Sequence, residues 1–292
     1  MRQKNIKEKL HSLSLPKLTT LLILFVLFIG FTFHFIISSS TANMSKNIET
    51  YADDENLLLS EVRKIIHDPT ISRAVTDRIV VPLDRSFEPK DLDHVLELDL
   101  YISESDDVNF EDLLKLKGLY ALSISSEKNI DLSDLVLNNL TNLDLHEYSS
   151  NKADWKLPNA PNLKSLHIFS DFLSIPSFIE TMSNFSTLEE LSLSPNNRNS
   201  VNYEDLSFLT QFSSLKSLYL FDINVESFDG IEDLKSLNSI TFWNGKISNI
   251  SAFLKSESLN DIYLLHPGTS DENIQTLRNH FGDKISIEID NE

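Results

Sequence analysis

The hydrophobic residues of this chain follow a short pattern that recurs through its C-terminal two-thirds. An apolar residue is followed by two variable residues, a second apolar residue, one variable residue and a third apolar residue. Successive copies begin 21 to 27 residues apart, and a weaker ninth copy places Ile285 and Ile287 in the second and third apolar slots. This near-constant period is typical of a repeat architecture. The eight clear copies begin at Val95, Leu119, Leu140, Leu163, Leu188, Leu215, Leu237 and Leu259.

Each copy predicts a short β-strand, because apolar and polar residues alternate in its second half. The remaining residues of each unit return the chain to the next strand and bring further apolar positions, as Phe228 and Ile231 do in the sixth copy. A unit this small cannot bury its apolar side alone, so neighbouring units are expected to stack around a shared core. The sequence therefore predicts an α/β solenoid with a parallel sheet on its concave face.

The repeat resembles that of the leucine-rich repeat proteins, and its capping is similar to the exported internalin-like group of Gram-positive bacteria. The seventh copy, LNSITFWNGKISNISAFLKSES, matches the 22-residue pattern of that group at Leu237, Ile240, Phe242, Ile247 and Ile250. The resemblance covers residues 57–292 and implies binding of other proteins through the concave sheet. One departure is the asparagine expected nine residues into each unit, which only Asn196 supplies. We therefore expect irregular turns on the convex side.

The open N-terminal end of a solenoid exposes apolar core and needs a cap. Apolar residues at helical spacing predict a helix over residues 55–67, which Asp68-Pro69 ends, and a second short helix over 71–81. Residues 89–95 then lead into the first strand. We assign residues 55–90 to a helical N-terminal cap and 91–269 to the repeats.

The C-terminal end is expected to be closed by a helix and a strand. Ser270 precedes two acidic residues, which is typical of a helix N-cap followed by an acidic first turn. The predicted helix covers 272–281 and ends at Gly282, and the last strand covers 284–289. Residues 270–292 thus form the predicted C-terminal cap, which includes the ninth repeat.

The N-terminal region predicts a membrane segment. Residues 18–37 are twenty consecutive residues without a formal charge, and a helix of that length spans roughly 30 Å, the thickness of a bilayer core. Residues 1–17 are basic, which places them in the cytoplasm, and residues 38–54 are a polar stalk outside the cell. The alternative is a signal peptide cleaved after Ala42, since residues 40–42 are small. Either alternative exports the repeats, on a single-pass anchor or as a secreted domain.

Composition excludes several functional classes. The chain has no cysteine, which excludes disulfides, thiolate metal sites and cysteine nucleophiles. Its net charge of −19 disfavours nucleic acid as a partner. No catalytic, phosphate-binding or EF-hand motif is present, so we expect neither an enzyme nor a cofactor nor a metal site. Two polar groups are expected to be solvated surface rather than metal sites: His146-Glu147, and the acidic cluster of Glu104, Asp106, Asp107, Glu111 and Asp112.

The polar slots of the repeats change character along the predicted sheet. The early copies carry acidic and small residues, whereas copies six to eight carry aromatic ones. Contiguous exposed aromatic surface marks interaction sites, and Trp and Tyr are enriched at binding hot spots. The alternative is that these rings are covered by adjacent returns. The predicted ligand-binding residues are His167, Phe169, Tyr219, Phe221, Trp243, Tyr263 and Leu265.

These observations together predict a membrane-anchored recognition module at the cell surface, whose partner is a protein or a cell-envelope component. The alternative function is an extracellular scaffold or spacer that has no dedicated ligand. The two differ in whether the aromatic side chains are accessible or buried.

Overall fold

The computed structural model describes residues 57–79, 86–148, 155–170, 173, 181–196 and 201–288. The chain divides into Met1–Leu57 and a compact unit, Leu58–Glu292, to which nearly all described residues belong. The predicted cytoplasmic tail, the membrane segment 18–37 and the stalk lie outside the described residues. No helix within the described ranges is long and apolar enough to cross a membrane.

Nine parallel strands form the main sheet, and consecutive repeats supply neighbouring strands. Buried apolar residues alternate with side chains on the opposite face along the first eight of these strands, as predicted from the repeat pattern, and the last strand is only partly buried. Equivalent slots pair in register, so that Leu98 aligns with Leu122 and Leu122 aligns with Leu143. The strands are β1 (Glu97–Ile102), β2 (Ala121–Ser126), β3 (Asn142–Glu147), β4 (Ser165–Phe169), β5 (Glu190–Ser194), β7 (Ser217–Phe221), β9 (Ser239–Trp243), β11 (Asp261–Leu265) and β12 (Ile285–Glu288).

The returning segments form a second, less regular layer. Three short strands, β6 (Val201–Tyr203), β8 (Ile223–Ser227) and β10 (Ile247–Asn249), pair in parallel in the order β10-β8-β6. Other returns contain 3₁₀ helices or a short α-helix, so the expectation of irregular turns is confirmed. Asn196, at the position typical of the repeat, donates from Nδ2 to the Glu147 carbonyl oxygen at 2.6 Å. The 3₁₀ helices of the returns are Phe110–Lys115, Met182–Asn184, Ser207–Gln211 and Ile231–Asp233, and the short α-helix, α2, is Ser251–Lys255.

The N-terminal cap is helical, as predicted, and is fixed to the first return by two buried carboxylates. Residues 57–62 are helical, α1 covers Pro69–Arg78, and a 3₁₀ helix covers Pro89–His94. Helix α1 begins two residues before its predicted start because the Asp68 carboxylate accepts from the backbone N–H groups of Thr70 and Ile71. The same carboxylate accepts from Asn109 N at 2.7 Å.

One prediction about the acidic cluster is wrong. Asp112 is not solvated; only 2% of this residue is exposed. Its carboxylate accepts from Asp68 N at 2.6 Å and from Lys115 Nζ at 2.5 Å. The Lys115 ammonium also donates to the carbonyl oxygen of Ile65 at 2.5 Å. Asp112 is therefore a structural residue that joins the cap to the first repeat.

The C-terminal cap is a helix followed by a strand, as predicted. Helix α3 covers Asp271–Phe281, and Ser270 Oγ accepts from Asn273 N at 3.2 Å. The helix ends at Gly282, whose φ of +57° suits a residue without a side chain. Strand β12 follows and pairs with β11, so that the ninth repeat completes the sheet.

Candidate ligand-binding face

One face of the nine-stranded sheet points away from the core and is called here the exposed sheet face. It consists of three rows of side chains, contributed by the alternate positions of each strand. No described side chain in these rows is fully buried. The face is therefore a surface that a partner can reach.

Five of the predicted residues form one continuous group on this face, called here the aromatic patch: Tyr219, Phe221, Trp243, Tyr263 and Leu265. Phe221 pairs with Trp243 across β7 and β9, and Trp243 pairs with Leu265 across β9 and β11. The ring centroids of Phe221 and Trp243 are 6.0 Å apart at an interplanar angle of 62°. The ring centroids of Tyr219 and Phe221 are 6.5 Å apart, and the two ring planes are nearly parallel.

The side chains of the aromatic patch are partly exposed, and none belongs to the buried core. Part of the surface of Tyr219, Phe221 and Trp243 is hidden because these rings pack against one another. None of the rings of the patch is fully buried, as complete cover by the adjacent returns would require. By contrast, the other tryptophan, Trp155, is 1% exposed and lies in the core.

The two remaining predicted residues, His167 and Phe169, lie on β4 and do not join the aromatic patch. Strand β5 separates them from β7 and contributes only Ser192 and Ser194 to the intervening positions. The Phe169 ring instead lies beside His146, with centroids 6.0 Å apart. The structure thus divides the predicted site into two parts.

His167 is bridged by two carboxylates from neighbouring strands. Its Nδ1 lies 3.0 Å from Asp144 Oδ1 on β3, and its Nε2 lies 2.9 Å from Glu190 Oε1 on β5. The hydrogen bonds to Asp144 and then Glu190 raise the pKa of His167 to about 9. The imidazole is therefore protonated at neutral pH and compensates part of the acidic charge on this face.

The neighbouring pair His146-Glu147 also departs from its predicted role as solvated surface. Burial is the main cause that lowers the pKa of His146, and the positive charge of His167 acts in the same direction. Glu147 is 3% exposed, and Ser170 Oγ donates to its carboxylate. Glu147 is therefore part of the local packing, whereas His146 stays partly exposed on the sheet face. Within the described residues, no three His, Asp or Glu side chains are grouped to hold a metal ion.

A row of left-handed residues borders the aromatic patch and was not identified from the sequence. Asp222, Asn244 and His266 have φ values of 54°, 56° and 49°, and each directly follows a residue of the patch. Asn244 Nδ2 donates to Asp222 Oδ1, which links two neighbouring turns. The 22-residue spacing of Asp, Asn and His, the non-glycine types most often found in this conformation, is the sequence signal that identifies them.

The first row of the exposed sheet face, formed by the first residue of each of its first eight strands, adds two carboxylates near the patch. Glu190 occupies this row on β5 and Asp261 occupies it on β11. The pKa of Tyr219 is raised mainly by burial and then by the charge of Glu190. Both residues occupy the variable position directly before the second apolar residue of their repeats, which the strand alternation places on the same face.

Comparisons with known proteins identify similar folds. No protein-family model matches the chain, and the search of curated proteins gives no match. Internalin C2 from Listeria monocytogenes has 19% sequence identity and a TM-score of 0.50, covering 77% of this chain and 96% of its own. The internalin InlF of the same organism has 17% identity, coverages of 78% and 77%, and a TM-score of 0.43. TLR13, in its complex with ssRNA13, has 14% identity, coverages of 68% and 40%, and a TM-score of 0.32. The likeness to internalin C2 shows that this chain has the leucine-rich repeat fold seen in internalins.

Proposed function

Because the chain has the leucine-rich repeat fold, we propose that it is a membrane-anchored recognition module at the cell surface. It binds a protein or a cell-envelope component through the aromatic patch. The observation that carries this proposal is the patch itself, five partly exposed large side chains on three neighbouring strands.

The composition of the exposed sheet face supports recognition at this place. The neighbouring strand β5 presents Ser192 and Ser194 in the rows where β7 presents Tyr219 and Phe221. Large aromatic side chains lose little conformational entropy for the area that they bury, which is why Trp and Tyr are frequent at binding hot spots. Nothing in the packing of the core requires them, since the core lies on the opposite face of the sheet.

The anchoring part of the proposal is supported by the sequence of residues 1–42. A basic segment followed by twenty uncharged residues favours an inserted helix with a cytoplasmic N-terminus. Determining the N-terminal residue of the protein recovered from membranes separates anchoring from cleavage after Ala42. A chain beginning at Asn43, found in the medium, supports the secreted alternative.

Affinity capture from cell-envelope extracts tests recognition. The bait is the full chain in a non-ionic detergent, compared with a variant in which Tyr219, Phe221, Trp243 and Tyr263 are changed to serine. Exposed tyrosines outside the patch provide a matched control, Tyr101→Ser with Tyr148→Ser, because these residues are 58% and 56% exposed. Circular dichroism establishes that each bait is folded.

A partner that is retained by the native and control baits but lost by the patch variant supports the proposal. Equal capture by all three baits contradicts it and favours the scaffold alternative. In that case the aromatic patch contributes only to the packing of the sheet surface.

A further inference from the structure

The middle row of the aromatic patch places the smaller Thr241 between two tyrosines, and this part of the patch is called here the aromatic cleft. Tyr219, Thr241 and Tyr263 occupy the middle row of β7, β9 and β11 and pair in register. Since neighbouring strands lie about 4.8 Å apart, the two tyrosine backbones are about 10 Å apart, with the smaller Thr241 between them. Trp243 lies at one end of the cleft and Ser239 at the other, both on β9.

This arrangement surrounds a small polar floor with aromatic side chains. A small residue between two tyrosines whose backbones are about 10 Å apart leaves room above it for one slender group, such as an alkyl chain with a charged head. The faces of Tyr and Trp rings attract cations, and several rings around one cation are a recurring way to bind it. The shape of the aromatic cleft therefore favours a single cationic side chain.

The charges of the exposed sheet face favour the same kind of ligand. The described strands of this face carry no lysine or arginine. Glu190 and Asp261 lie in the first row on either side of the cleft, on β5 and β11. Six carboxylates lie on the face: Glu97, Asp99, Asp144, Glu190, Asp261 and Glu288. Arg78 of α1 pairs with Asp99, and His167 bridges Asp144 and Glu190, so the charge of these three is partly compensated.

We propose that the aromatic cleft binds a lysine or arginine side chain of an extended, basic protein segment. The cation lies against Tyr219, Tyr263 and Trp243. Asp261 attracts a further basic residue on one side, and Glu190, whose charge His167 partly compensates, does so more weakly on the other. This inference rests on the proposed function and specifies the chemistry of its partner. The net charge of −19 also speeds the approach of a basic partner at low salt.

Three other occupants fit the charges less well. A second copy of this chain carries the same acidic face, so that face-to-face pairing brings like charges together. Nucleic acid carries a negative phosphate on every nucleotide and is repelled for the same reason. An uncharged hydrophobic segment satisfies the rings but adds no charge that complements the acidic residues of the face, such as Asp261.

The test uses fluorescently labelled peptides and the full chain in a non-ionic detergent. The probe has about 12 residues, because an extended chain of that length spans about 40 Å, close to the width of nine strands. It consists of serine, leucine and lysine; a second peptide replaces lysine with uncharged norleucine, and a third replaces it with glutamate. We expect the lysine peptide to bind about tenfold or more tightly than the norleucine peptide, and its affinity to fall as salt increases.

Substitutions in the aromatic cleft test whether it is the site that binds the lysine peptide. Tyr219→Leu with Tyr263→Leu keeps apolar bulk but removes two aromatic rings. We expect this variant to bind the lysine peptide about threefold to tenfold more weakly and to bind the norleucine peptide as tightly as before. We expect Asp261→Asn to lower the affinity for the lysine peptide as well. Glu226→Asn removes the same charge from an exposed residue of β8, outside this face, and is expected to leave binding unchanged.

Several results overturn the inference. Equal binding of the lysine and norleucine peptides, lost when the aromatic patch is changed to serine, contradicts the cationic partner but leaves the proposed function standing. Preference for the glutamate peptide, or no binding of any peptide, also overturns it. Dimerisation that Tyr219→Leu abolishes, measured by analytical ultracentrifugation, assigns the cleft to a second copy instead. The proposed function itself fails only if capture from extracts is independent of the patch.

Discussion

The bridge between Asp144, His167 and Glu190 predicts a pH-dependent contribution to stability. The perturbation is His167→Gln, which removes the positive charge but keeps a side chain that can hydrogen-bond. In the folded protein the pKa of His167 is about 9, compared with an ordinary value of 6.5. A histidine whose pKa is raised by folding binds its proton more tightly in the folded state, so protonation favours folding.

The magnitude follows from the pKa difference and the exposure of the side chain. The difference between about 9 and 6.5 corresponds to about 3 kcal/mol in the free energy of unfolding. Because 42% of the His167 side chain is exposed, solvent screening reduces this contribution to about 1 kcal/mol. It is fully present below pH 6.5, declines as the pH rises towards 9, and is absent above that value.

Urea unfolding of the native chain and of the variant at several pH values measures this contribution. We expect the native chain to be more stable by about 1 kcal/mol near pH 6, and the difference to vanish near pH 10. NMR titration of the His167 ring gives its pKa directly. His146→Gln is the control, since burial lowers the pKa of that residue. A His167 pKa at or below 6.5, or a stability difference that does not change with pH, refutes the reasoning.

Three further predictions concern the cap, the turns and the patch. Asp112→Ala leaves the Asp68 N–H and the Lys115 ammonium without this acceptor, and we expect a loss of about 2–4 kcal/mol in the free energy of unfolding, measured with urea. Asn244→Val places a β-branched residue at positive φ and is expected to cost about 1–2 kcal/mol, whereas Asn244→Gly costs less. Trp243→Phe is expected to remove most of the fluorescence that acrylamide quenches, because the other tryptophan is buried.

Each of these predictions has a result that contradicts it. An Asp112→Ala protein as stable as the native chain shows that the first return does not depend on this carboxylate. Equal stability of the two Asn244 variants shows that the left-handed turn is not strained by a side chain. Quenching that persists in Trp243→Phe shows that Trp155 rather than Trp243 is accessible to solvent.

The regular part of the fold was predictable because it depends on residues close together in the sequence. Alternation within each copy places Leu98 and Leu100 on one face of a strand whatever the rest of the chain does. The period then fixes the order of the strands, since each return is too short to reach beyond the neighbouring position. The C-terminal cap was predictable for the same reason: Ser270 and Gly282 are local signals for the start and end of a helix.

The candidate site was predictable only in part. The repeat pattern identified the aromatic side chains of β7, β9 and β11, because their slots follow from the strand period. The strand order also implies that the small residues of β5 separate Phe169 from them, although the prediction grouped all seven residues as one site. The predicted site also omitted Asp261 and Glu190, although the same period places them on the exposed sheet face.

The sequence by itself therefore determined the repeat, the strand order, both caps and the face on which the aromatic residues lie, because these follow from local periodicity. Only the tertiary structure decided the environment of the polar groups. Asp112 is buried against a backbone N–H 44 residues earlier, and His167 lies between carboxylates of two neighbouring repeats. The pKa and burial of such a group depend on the side chains that folding brings to it, and residues distant in the sequence supply those side chains.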